Sequence, residues 1–156
     1  MAQCLELESS RTLTGSCVRR SSNASQAWRI LSTSATSVRR TLSPDRIAPV
    51  IAIRGNVDTG QGVEHYPETQ KIMFGGRCIY VLHDVKTLQL DPVSSGVDVI
   101  VCGHSHRPRI ETIRGVLYLN PGSAGPRRFN LPITVATLDL TAGGLKPLIH
   151  HLGSAS

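Results

Sequence analysis

Between Pro49 and Leu152 the chain alternates short apolar runs with turn residues, a rhythm that predicts strands more than helices. PVIAIRGN (49–56) is an apolar run ending on a turn, as a buried strand does. TQKIMF and RCIYVLH flank Gly75-Gly76, RIETI and VLYLN flank Arg114-Gly115, and ITVATLDL and LKPLIHHL flank residues 141–144. Each pair reads as a β-hairpin. VDVIVCGH (97–104) is a further buried strand, and residues 86–95 are the best candidate for a short helix. The pattern is that of an α/β or β-rich domain over residues 46–152, with loops at Asn56, His83, His104 and Asn120.

Residues 1–45 lack this pattern. They are rich in Ser and Arg and sustain no period of 2 or 3.6, which reads as a disordered arm or a transit peptide. Glu6 and Glu8 argue mildly against the transit peptide. Charge divides in the same way. Residues 1–50 carry seven Arg against three acids, and residues 51–156 carry ten Lys/Arg against eight. No aromatic residues interleave with those arginines, so specific nucleic-acid binding is not expected. No apolar run approaches the roughly 20 residues that span a bilayer, and no membrane association is expected. Cys4, Cys17, Cys78 and Cys102 form no CxxC pair, and no secretory segment is visible. A reducing cytoplasm is the default location.

The candidate chemistry lies in four places. His104 and His106 follow a strand at i and i+2, a spacing that lets both imidazoles turn toward one centre, with Gly103 permitting a tight backbone. The same pair also fits an exposed loop with two incidental histidines. Asn56 ends one apolar strand and His83 another. Each fits a turn or a hydrogen-bonded strand end as well as a ligand. All of them, however, fall at the C-terminal ends of buried strands, where α/β folds gather ligand sites.

Strand–GNxD, strand–His, strand–GHxH and then NPGS, in that order, resembles the calcineurin-like metallophosphoesterases, within them the small bacterial and archaeal phosphodiesterase branch. The resemblance covers about residues 46–150. It implies a four-layer αββα sandwich of two mixed β-sheets with helices outside. It also implies hydrolysis of a phosphodiester, small molecule or nucleotide, at two divalent cations, manganese first and iron, zinc or nickel next. By position, Asn56, His83 and His104 would bind one metal and His106 the other. Asn56 would also touch the phosphate. Arg127 and Arg128 fit a phosphate contact near the site and a solvated basic pair equally well. His83-Asp84 stands where the family often has His-Gly. The Asn120–Ser123 segment would shape the loop beneath the metals without supplying a ligand. A homo-oligomer is compatible with the resemblance.

Two motifs the family needs, Asp-x-His and Gly-Asp, do not occur in residues 1–45. The N-terminal part of the fold is therefore expected to be missing or out of frame, and the chain as written to be short of activity. A one-base shift of the reading frame is compatible with both. Arg11 to Arg20 then permits Asp-Thr-His-Gly-Leu-Leu-Arg-Pro-Glu, preceded from Glu6 by Ile-Gly-Val-Ile-Ser. Ser32 to Val38 permits His-Ile-Gly-Asp-Ile-Gly. The two aspartates span the codon junctions 11/12 and 35/36, 24 codons apart, which is usual for the branch. Two other readings stand beside the enzyme. One is a non-catalytic interaction module on the same fold, like the retromer's small scaffold subunit. The other keeps residues 1–45 as a targeting arm.

Overall fold

Strand β6, Arg77–Leu82, shows why the central apolar runs are continuous instead of alternating. Ile79 and Val81 point to one face of its sheet, Cys78, Tyr80 and Leu82 to the other, and both faces are covered. In the computed structural model the described residues are 3–7, 19–21, 29–33, 50–55, 66–124, 130–141 and 143–152. They hold eleven strands in the order β1 (Gln3–Leu7), β2 (Arg19–Ser21), β3 (Arg29–Thr33), β4 (Val50–Arg54), β5 (Thr69–Phe74), β6, β7 (Val99–Val101), β8 (Arg109–Ile113), β9 (Val116–Asn120), β10 (Thr134–Thr141) and β11 (Gly144–His151). Asn56, Arg127 and Arg128 lie outside the described residues, as does most of the 1–45 segment.

A five-stranded mixed sheet runs β5-β6-β7-β9-β8. β6, β7 and β9 are parallel, and each flanking strand joins through an antiparallel hairpin. The hairpin turns are those expected. Gly75 and Gly76 have φ of 54° and 78°, and Arg114 and Gly115 have 51° and 82°. Positive φ at both central residues is the two-residue turn whose twist matches the strands. A second layer holds β11-β10-β1-β2, all antiparallel, and the parallel pair β3-β4, with β3 close to β1 and β2.

Between the layers, Ile79, Val81, Val99, Val101, Leu117 and Leu119 meet Ile53 of β4 and Ala136 and Leu138 of β10. Each fully buried Ile or Leu there contributes about 1.5–3 kcal/mol. The other face of the five-stranded sheet is covered by Leu88, Leu90 and Val97 from the β6–β7 connection.

That connection was expected to be helical over 86–95 and is not. It contains a 3-10 turn, Val85–Thr87, followed by turns through 92–96. Pro92 supplies no N–H and pushes Asp91 toward extended backbone, and Gly96 has a φ of 64°. No described residue lies in an α-helix, so the two outer layers of the four-layer sandwich fall outside what these residues show. Nor is any described helix long and apolar enough to cross a membrane.

Candidate metal centre

Parallel pairing puts the C-terminal ends of β6, β7 and β9 side by side, and these three ends carry His83, Gly103-His104 and Asn120. Backbone and side-chain hydrogen bonds then lock them together. Gly103 N donates to His83 O at 2.9 Å. The buried Asn120 donates from Nδ2 to Gly103 O at 2.8 Å and to Ser105 Oγ at 3.1 Å, while its own Oδ1 accepts from Gly122 N at 2.9 Å.

The loop is conformationally strained. Ser105 N donates to Gly103 O at 2.7 Å across His104, whose φ is 62°. This is the uncommon form of the three-residue γ-turn, with positive φ at its centre. His106 has φ of 57°. A left-handed backbone costs a non-glycine residue about 1–2 kcal/mol. Strain of this kind persists where surrounding bonds over-determine it, and it clusters at functional sites.

The strained turn aims a ring. His104 Nδ1 faces His83 Nε2 at 3.2 Å, with the two rings nearly perpendicular at 82°. One explanation is a single N–H···N hydrogen bond. The distance also suits a shared cation, because two ligands held at about 2.0–2.1 Å and a tetrahedral angle lie about 3.3–3.4 Å apart. His83 is 8% exposed. Burial first, and then the neighbouring His104, push its pKa down to about 4 against the opposing pull of Asp84. Its ring is therefore neutral at neutral pH, the form that ligates metals. His106 is close enough to add to that depression.

On donor chemistry the described residues fit part of a metal site: imidazoles suited to a borderline cation, that of His83 neutral, without carboxylates among the ligands. No group of three or more His, Cys, Asp or Glu among the described residues is arranged to hold an ion. Of the expected ligands, His83 and His104 are brought together, His106 lies near them, and Asn56 is not described.

A cavity of about 410 Å³ opens beside the pair, lined by Arg54, Glu68, Tyr80, Asp84, Thr87 and Gln89 among others. Arg54 is held there by an ion pair with Glu68. Cys102, behind the loop, is no nucleophile at neutral pH. Burial, helped by the Asp84 charge, pushes its thiol up to about 11.

The Asn120–Ser123 segment was expected to shape the loop without ligating, and Asn120 clamps Gly103 and Ser105. One contributor was not assigned from sequence. Asp84 lies 3.7 Å from His104 Nε2, and its presence in place of the family's usual glycine was the available signal.

The chain is similar to several known proteins. The chain is 37% identical over 81 residues to a probable metallophosphoesterase of Methanocaldococcus jannaschii, covering 49% of this chain and 42% of that protein. It is 28% identical over 103 residues to another from Methanothermobacter thermautotrophicus, covering 61% and 59%. The chain thus spans about half the length of the curated relatives it matches. The solved structure of an archaeal phosphodiesterase superposes with a TM-score of 0.54 at 21% identity, over 66% of this chain and 70% of that one. The model of the calcineurin-like phosphoesterase superfamily domain matches residues 32–143, well over half of the chain, and the protein belongs to that superfamily.

Proposed function

We propose that the protein is a phosphodiesterase whose divalent cations are held by His83, His104 and His106 with Asn56, manganese being the first choice. The observation that carries this reading is the 3.2 Å convergence of His83 Nε2 and His104 Nδ1 at the C-terminal strand ends. When bound, a pair of such cations lowers the pKa of a water and shares the charge of the phosphoryl oxygens during in-line displacement.

The chain's own residues prepare for that. Burial keeps His83 neutral, so no proton has to leave it when it ligates at neutral pH. Asn120 and the His83–Gly103 bond fix the loop in advance, so little ordering remains to be done on binding. Arg54, which lines the cavity, is suited to contact the phosphate, and Arg127 is assigned the same role from the sequence alone. Cys102, its thiol pushed up to about 11, is not an attacking group at neutral pH, and the reading assigns that part to water.

We further propose that residues from about 5 to 45 are read out of frame, and that the frame-restored chain is the active one. Sequencing the coding DNA across the first 50 codons tests the frame directly. Codons unable to spell Asp-Thr-His-Gly and Gly-Asp would end that part. Function is tested with bis(4-nitrophenyl) phosphate and manganese. The restored chain should hydrolyse it and lose activity with His104→Ala, while the chain as written stays near background. A restored chain without manganese-dependent hydrolysis would overturn the phosphodiesterase reading.

A further inference from the structure

We propose that Asp84 is a positioning residue for the metal centre, fixing the proton of His104 on Nε2 so that Nδ1 stays open toward the cation. The inference rests on the metal-centre reading above and assigns Asp84 a part in it.

The two nitrogens of His104 face different neighbours. Nδ1 looks at His83 Nε2 at 3.2 Å, and Nε2 looks at Asp84 Oδ2 at 3.7 Å. Asp84 therefore sits behind the ring, on the side away from the converging pair, and is not itself a ligand of an ion held there. The 3.7 Å contact is longer than a hydrogen bond. A direct hydrogen bond there requires the two side chains to turn closer together.

A carboxylate only accepts hydrogen bonds, so it favours the ring form that carries its N–H on Nε2. That form leaves the Nδ1 lone pair free. Carboxylates placed behind ligating histidines set tautomer and ring direction in the same way, and losing such a partner typically costs about 10–100-fold in metal affinity.

Asp84 has a second, purely structural task. It caps the 3-10 turn, with Oδ1 accepting from Lys86 N at 3.0 Å and its backbone carbonyl accepting from Thr87 Oγ1 at 2.8 Å. The two tasks use different oxygens, which makes them separable. Asn is as good a cap as Asp. In Asp84→Asn the amide oxygen stays on Lys86 N, which turns the NH₂ group toward His104 Nε2. A donor there demands a bare Nε2 and moves the proton to Nδ1, closing the metal-facing nitrogen. A capping role alone leaves Asp84→Asn unchanged, whereas a positioning role makes it harmful.

The test compares the full chain with its Asp84→Asn and Thr87→Ala variants, the latter loosening the same turn without touching His104. Zinc affinity is read by chelator competition. The His104 tautomer is read in the metal-free chain from imidazole ¹⁵N shifts at pH 8.5. Asp84→Asn should weaken zinc binding about 10–100-fold and raise the Nδ1–H form, with Thr87→Ala matching the parent in both. Parent-like affinity and tautomer in Asp84→Asn, or an equal loss in Thr87→Ala, would overturn the proposal. If the parent binds no zinc, the metal-centre reading fails, and the metal-free tautomer alone decides the role of Asp84.

Discussion

Where β6 and β9 begin, positive φ falls on Gly75, Gly76, Arg114 and Gly115; where β6, β7 and β9 end, it falls on His104, His106 and Gly122. The starting end uses this backbone to make hairpins. Three of its four residues are glycines, which adopt it without steric cost. At the far end two histidines, His104 and His106, adopt it at a cost, tied by Gly103 and Asn120, and His104 thereby turns its ring toward that of His83. One end of the sheet satisfies the rules of turn chemistry. The other breaks them where ring direction matters.

The largest effect that should follow lies at Gly122. A Cβ built there meets Thr134 Oγ1 at 1.9 Å on a backbone with φ of 84°. Gly122→Ala should cost about 3 kcal/mol or more in urea unfolding. Gly115, with φ of 82° but open space around its Cβ position, should lose only about 1–2 kcal/mol as Gly115→Ala. Equal losses would erase the contrast in packing.

Acid should separate the two ends next. His83 in the metal-free protein has its pKa lowered to about 4, so between there and about 6.5 the unfolded chain binds more protons than the folded one. Stability should be full above that window and decline as pH falls through it, by at most about 3 kcal/mol. At the starting end, burial would raise the Asp98 pKa, but the Cys78 N–H and Arg77 outweigh it and hold the carboxyl low. Its contribution is present above the ordinary Asp range and is lost only as pH falls through the lowered value. Urea melts from pH 8 to pH 4.5 should slope in the parent and flatten in His83→Asn. A parent without slope would contradict the buried neutral ring.

Asn120→Ala should cost about 1–3 kcal/mol, because it strips three hydrogen bonds from the loop. It should weaken zinc binding as well, and a stability loss with unchanged zinc binding would separate the clamp from the metal site. The smallest effect isolates backbone strain at one position. His106→Gly should be more stable than His106→Ala by about 1–2 kcal/mol, since both lack the ring and differ in the cost of positive φ.

The same contrast explains what could be read from the sequence. The Gly75-Gly76 and Arg114-Gly115 hairpin turns were visible because their residues obey the local rule. The buried strands were visible because two covered faces force continuous apolar runs. His83 and His104 emerged only as members of an ordered set, since neither residue type announces its backbone. The expected helix at 86–95 failed because its apolar residues serve as a lid on the sheet, with Pro92 and Gly96 setting turns between them. The roles of Asp84 and Asn120 depend on which atoms the parallel strand order brings together, and strand order is not a local property.

The most direct test is calorimetric titration of the chain with zinc, beside its His104→Ala and Gly115→Ala variants. The account predicts binding in the parent and in Gly115→Ala, and none in His104→Ala. Binding that survives His104→Ala unchanged would contradict it.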